Sequence, residues 1–178
     1  ILLCMDHLTI LNQNAGNFNW SEAFLIQEIL SGSKGSVHAT KNFFELEQIL
    51  KRHEDNQPEM VGIGGGDGTV SRTLTKISES WGRVPDRIAT YSMGTMNNIS
   101  IFSEVHSFWD KIRRKIGLRT SPIKLAEIIS ESIKSEEPLK TKDIALLDTN
   151  GRKGFNIGFG IIPKLVWLYY GNSIEHYQ

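Results

Sequence analysis

The stretch MVGIGGGDGTVSRTLTKI, from Met60 to Ile77, decides how this chain is interpreted. An apolar run typical of a buried strand ends in three consecutive glycines, and a helical pattern follows Thr69. Glycines permit a left-handed backbone and let N–H groups come close to a ligand, and the start of a helix favours an anion. The sequence therefore predicts a strand–turn–helix unit that receives a phosphate.

Asp67 stands inside this turn, where its carboxylate would repel a phosphate. The repulsion is offset if the ligand arrives with Mg²⁺, or if a hydroxyl loses its proton beside the phosphate. Phosphoryl transfer needs both. We therefore interpret the turn as the site of a metal-bound polyphosphate, and the alternative is an ordinary tight turn with an acid near a helix start.

A second polar loop, SMGTMNN at residues 92–98, follows the next predicted strand. The carboxyl ends of neighbouring parallel strands meet at one edge of a sheet, so the two loops are expected to face one cleft. The chain contains no G-x-x-x-x-G-K-[ST] motif, which excludes a Walker-type phosphate loop.

The composition argues against several classes of protein and of site. The 178 residues carry 20 basic and 20 acidic side chains, so binding to nucleic acid through bulk charge is not expected. A single cysteine excludes an internal disulfide and fits a reducing, cytoplasmic setting. The five histidines have no metal-ligand spacing, and no apolar run reaches the roughly 18 residues of a membrane span.

The alternation of strand and helix patterns predicts an α/β domain over residues 1–135, with a parallel sheet and helices on both faces. Residues 136–178 begin with a polar linker, and Asn150–Gly151 predicts a hairpin turn, so we expect the start of a second, antiparallel domain that the chain leaves incomplete. Strand patterns occupy residues 7–12, 36–39, 60–64 and 87–91, and helical patterns occupy 20–30, 42–52 and the stretch after Thr69.

Four elements in this order resemble the diacylglycerol kinase catalytic domain family, which includes sphingosine, ceramide and bacterial lipid kinases. They are NQNAG at residues 12–16, Thr40, GGDGT at residues 65–69 and SMGTMN at residues 92–97. GFNIGFG at residues 154–160 is similar to the first strands of the family's second, β-sandwich domain. The GGDGT element alone is shared with NAD kinases and 6-phosphofructokinases.

The resemblance implies that ATP binds in the cleft between the domains and that Asp67 is catalytic, as a base or as an organiser of metal and water. Arg72 stands where the family often has a glutamate, so it either grips phosphate or marks a weakened site. The sequence does not identify the metal ligands. The nucleotide-binding residues implied by the resemblance are Asn12, Thr40, Gly65, Gly66, Gly68, Thr69, Gly94, Thr95 and Asn97.

The function expected from the resemblance is an ATP-dependent lipid kinase that moves the γ-phosphoryl group of Mg-ATP to a diacylglycerol or sphingoid-like hydroxyl. Alternatives are a kinase for a soluble acceptor such as NAD, and a nucleotide-binding relative without turnover. The expected partner is a lipid at a membrane surface, reached through peripheral association, and a homodimer is one candidate assembly. The helical pattern at residues 106–119 combines apolar and basic residues, which fits an interfacial helix or an ordinary packed one. We do not expect this stretch of chain to be active by itself.

Overall fold

The structure is a computed structural model that describes residues 6–94, 121–135, 139, 141 and 143–155. Strands and helices alternate through its first part and a hairpin follows. The elements are β1 (His7–Asn12), α1 (Trp20–Leu30), β2 (Gly35–Thr40), α2 (Phe43–Arg52), β3 (Met60–Gly65), α3 (Asp67–Trp81), β4 (Arg87–Ser92), α4 (Pro122–Ser135), β5 (Leu147–Thr149) and β6 (Arg152–Gly154).

The first four strands form a parallel sheet in the order β2-β1-β3-β4. After β1 the chain adds β2 on one side, and it then crosses over to place β3 and β4 on the other side. The strand order therefore reverses between β1 and β3. In open α/β sheets a crevice for ligands opens at this point, outside the carboxyl ends of the strands.

Helices cover both faces of the sheet and separate its core into two layers. Apolar side chains of α2 and α3 pack against one face, on which Leu8 and Ile63 lie. Helices α1 and α4 pack against the other face, near Leu11 and Tyr91. The sequence prediction of a parallel α/β sheet with helices on both faces is confirmed.

The hairpin β5–β6 also follows the prediction. Its strands are antiparallel, and Asn150 and Gly151 have φ angles of 53° and 82°. Positive φ at both central residues defines the type I′ turn that Asn-Gly favours. Leu146 and Phe155 pack against the core layer of α2 and α3, so the hairpin lies on the α/β domain.

Several sequence predictions fall outside the described residues. They concern the helical pattern at 106–119, the stretch 156–160 of the family-like strands, and Thr95 and Asn97 of the second polar loop. The domain boundary after residue 135 also stays a prediction. Among the helices that the structure describes, none combines the length and the apolar character that crossing a bilayer requires.

Candidate active site

A hydrogen bond joins the end of β1 to the start of α3, the helix that follows β3. Asn12 is the last residue of β1, and its Nδ2 donates to Oγ1 of Thr69 in the first turn of α3 at 3.0 Å. Its Oδ1 accepts from the backbone N–H of Asn14 at 2.9 Å, so both ends of the amide are fixed. Because the Thr69 oxygen accepts from Asn12, its hydroxyl proton can be donated to a ligand.

The last two residues of β3, Gly64 and Gly65, make this approach possible by their small size. A methyl group on Gly65 would lie 2.5 Å from Cβ of Thr69, and one on Gly64 would lie 2.5 Å from Cδ2 of Leu11. The turn does not use the left-handed backbone that glycine permits, because among the described residues only Gly82 and Gly151 are glycines with positive φ. Close packing, rather than a left-handed φ, therefore requires glycine here.

Gly68 differs from the other glycines of the motif. It is exposed, and a Cβ placed on it would meet no heavy atom within 4 Å. The protein's own packing therefore does not require glycine at this position. The open space lies beside the first turn of α3, where a ligand could come against the backbone without a side chain in its way.

Helix α3 begins at Asp67, two residues before the Thr69 start that the sequence indicated. Gly66 is its N-cap, in an extended conformation, and no side chain caps the helix. The Asp67 carboxylate is half-buried in the first turn, where the helix dipole favours negative charge. A carboxylate, a hydroxyl and uncapped backbone donors thus share one helical turn.

The loop after β4 lies against this turn. Met93 N–H donates to the Gly65 carbonyl at 3.3 Å. Asn17, from the loop after β1, donates its backbone N–H to the Met93 carbonyl at 2.9 Å and its Nδ2 to the Gly94 carbonyl at 3.0 Å. The start of the second loop therefore lies beside the glycine turn as far as Gly94, its last described residue, and a cleft shared by the two loops stays a prediction.

Thr40 also lies at this edge. It ends β2, is buried, and pairs in register with Asn12. Its carbonyl accepts from Gln13 N–H at 2.9 Å, and Nδ2 of Asn14 donates to the Lys41 carbonyl at 2.6 Å. The loop after β1 therefore bonds to the end of β2 and to the residue that follows it.

Arg72 lies one turn further along α3 and is exposed. Its guanidinium carbon is 6.0 Å from the ring centroid of Phe43, the first residue of α2. This cation–π contact directs part of the Arg72 side chain toward α2.

Sequence reasoning missed two residues that organise the site, Asn14 and Asn17. Their side-chain hydrogen bonds tie the loop after β1 to the chain after β2 and after β4, respectively. The density of asparagine in NQNAGNFN was the available signal. Asparagine side chains that bond backbone groups are typical of structured loops.

Shifted pKa values occur elsewhere in the described part of the fold. Burial, partly offset by the Thr9 hydroxyl, raises the pKa of Tyr91 in the sheet. Hydrogen bonds to Glu47 and Glu79 raise the pKa of Lys76 on α3. Within the described ranges no cluster of three or more His, Cys, Asp or Glu side chains could hold a metal ion.

Known proteins place this arrangement in a family. A profile of the diacylglycerol kinase catalytic domain matches residues 6–133, well over half of the chain, and that range contains the Asn12–Thr69 contact. The chain belongs to that family. None of the curated proteins matches the chain.

Solved structures support the same fold. A crystal structure of a diacylglycerol kinase from Bacillus anthracis strain Sterne matches with a TM-score of 0.56 at 18% identity, over 84% of this chain and 47% of that one. Two further structures of proteins from that strain, named provisionally as diacylglycerol kinases, match with TM-scores of 0.56 and 0.54 at the same identity and coverage. The chain thus spans about half the length of the solved structures it matches.

Proposed function

We propose that this protein is a lipid kinase that transfers the γ-phosphoryl group of Mg-ATP to the hydroxyl of a diacylglycerol or sphingoid-like lipid. The observation that carries the proposal is the Asn12–Thr69 hydrogen bond beside the uncapped start of α3. It presents a hydroxyl and helix N-terminal donors at the reversal point of the sheet. An anionic nucleotide tail is the ligand that such a helix start favours.

Each side chain of the site then has a task. Thr69 Oγ1 and the backbone N–H groups at the start of α3 donate to phosphate oxygens, and the open space at Gly68 admits the phosphate chain. Asp67 accepts the proton of the acceptor hydroxyl or orients metal-bound water. Mg²⁺, when bound with the nucleotide, neutralises phosphate charge. Its protein ligand would be the Asp67 carboxylate, which is of the oxygen type that this ion prefers.

The family assignment supports a wider set of nucleotide contacts. We extend the proposal to Thr40 and Gly65 at the ends of β2 and β3, to Gly66 and Gly94 in the loops that follow β3 and β4, and to Thr95 and Asn97 further along the chain. Because the acceptor is a lipid, the protein would meet it at a membrane surface, as a cytoplasmic enzyme with peripheral attachment.

The proposal is tested with the full-length protein, radiolabelled ATP and Mg²⁺. Acceptors are a panel of diacylglycerol and sphingoid lipids in micelles, with NAD as the soluble alternative. We expect one of the lipids to be labelled, and Asp67→Asn to lower the rate by about 10² to 10⁴. Glu22→Gln is the matched control, since Glu22 is an acid in the first turn of α1 and should leave the rate unchanged.

The assay separates the competing functions. If NAD is labelled and no lipid is, the protein is a kinase whose acceptor is soluble, and the proposed lipid acceptor is wrong. A rise in melting temperature with Mg-ATP, together with no turnover on any acceptor, would indicate a nucleotide-binding protein without catalysis.

A further inference from the structure

Two hydroxyls of α3 hold the hairpin β5–β6 against the α/β domain. The backbone N–H of Lys153, in β6, donates to Oγ1 of Thr75 at 2.9 Å, and the hydroxyl of Ser71 donates to the Lys153 carbonyl. In a β-sheet a neighbouring strand would satisfy these two backbone groups. Here a helix does so, with two side chains one turn apart.

The Thr75 hydroxyl has a fixed orientation in this contact. It donates its proton to the Ser71 carbonyl at 2.9 Å, one turn back in α3. Its oxygen is therefore left to accept from Lys153, and the hydroxyl cannot reverse its role without losing a bond. Such a doubly bonded hydroxyl specifies one register of β6 on the helix.

The contact lies on the side of α3 that leads to the active site. Asp67, Ser71 and Thr75 are spaced four residues apart, so they form a stripe along the helix. The N–H of Lys153 bonds to Thr75 and its carbonyl bonds to Ser71, which lies nearer to Asp67. The chain of β6 therefore runs along α3 in the direction of Asp67. Ser71 lies about 6 Å along the helix axis from Asp67.

A hydrogen bond and an ion pair link residues within the hairpin, and apolar side chains join it to the domain. The Asp148 carboxylate accepts from Gly151 N–H at 3.0 Å and forms an ion pair with the Lys153 amine. Phe155 and Leu146 pack against the core layer that contains α3. The apolar contacts hold the hairpin on the domain, and the two hydroxyls determine where along α3 it sits.

We propose that Ser71 and Thr75 are positioning residues that fix the hairpin relative to Asp67. The catalytic half of this inference rests on the proposed function. Removing one hydroxyl should lower turnover while leaving nucleotide binding to the loops of the α/β domain intact, because neither residue takes part in the Asn12–Thr69 site.

The test compares Thr75→Val, which keeps the shape and removes the hydroxyl, with Thr75→Ser, which keeps the hydroxyl. In the full-length protein, Thr75→Val should speed hydrogen exchange of the peptide 147–155 about fivefold and leave that of residues 20–30 unchanged. Its kcat for lipid phosphorylation should fall about tenfold, with the Kd for Mg-ATP within about twofold of the wild type. Thr75→Ser should behave as the wild type in each measurement.

The outcomes separate the parts of the inference. Unchanged exchange in Thr75→Val would overturn docking through Thr75, and faster exchange with an unchanged kcat would overturn positioning. If the wild type turns over no acceptor, the proposed function fails. Docking of the hairpin through Thr75 is then still tested by hydrogen exchange of residues 147–155. Slower exchange of 147–155 on addition of Mg-ATP, seen in the wild type and lost in Thr75→Val, would support positioning, and no effect of nucleotide would contradict it.

Discussion

The starts of α2 and α3 lie at the same edge of the sheet and are built in opposite ways. At α2, Oδ1 of Asn42 accepts from Glu45 N–H at 2.9 Å, and the Glu45 carboxylate accepts from Lys41 N–H at 2.8 Å. The arrangement is similar to a capping box, except that Glu45 accepts from the residue before the N-cap, and it satisfies backbone donors from within the chain. At α3 the N-cap is Gly66, which has no side chain to offer, and an acid follows it directly.

The difference supports the proposal that the start of α3, and not that of α2, receives a ligand. Helix N-termini leave backbone N–H groups without partners, and a side-chain cap contributes about 1 kcal/mol. Asn19 caps α1 and Ser121 accepts from the first turn of α4, so α3 stands apart among the described helices. Helix α3 lacks a side-chain cap, and a bound anion that accepts from its first N–H groups would provide the missing stabilisation.

The largest effect in this comparison is expected from Gly65→Ala. The added methyl group would lie 2.5 Å from the Thr69 side chain, in a region closed by Asn12 and Met93. Overpacking of this kind should lower the free energy of unfolding by about 2 to 3 kcal/mol, measured by urea denaturation. An unchanged midpoint would mean that the start of α3 moves aside and is less rigid than the structure indicates.

Thr69→Val should have the next largest effect, because it removes the acceptor of Asn12 and keeps the branched shape. The Asn12 amide donor is then unpaired, which should cost about 1 to 2 kcal/mol of stability. The affinity for Mg-ATP should fall about tenfold, as expected for losing one charge-assisted hydrogen bond. Isothermal titration of Thr69→Ser, in which the hydroxyl remains, is the control, and its affinity should match the wild type.

Asn42→Ala tests the other helix start. It removes the cap of α2 and should lower the free energy of unfolding by about 1 kcal/mol. The affinity for Mg-ATP should stay within experimental error, because this cap bonds only to its own helix. A clear loss of nucleotide affinity in this variant would contradict the claim that only the start of α3 binds the nucleotide.

Sequence reasoning found the strands, the hairpin and the GGDGT turn because their signals are local. It placed the start of α3 at Thr69, since a glycine cap leaves no side-chain signal for Asp67. It did not predict the Asn12–Thr69 contact, although the resemblance assigned both residues to the nucleotide. These residues are 57 positions apart, and only the placement of β1 beside β3 brings them together. The reason for glycine at position 65 is likewise the nearness of Thr69, which no local pattern encodes.

Gly68→Ala should give the smallest change in stability, and it should change stability and nucleotide affinity in opposite directions. Because a Cβ at this position meets no atom within 4 Å, and alanine is the better helix former, stability should rise by about 0.5 kcal/mol. The same methyl group occupies the space assigned to the phosphate chain, so the affinity for Mg-ATP should fall. Gly82→Ala is the contrast, since Gly82 has a φ of 69° at the end of α3 and its replacement should lower stability without affecting nucleotide. Equal nucleotide affinity in Gly68→Ala and the wild type would show that the open space beside Asp67 does not receive the phosphate.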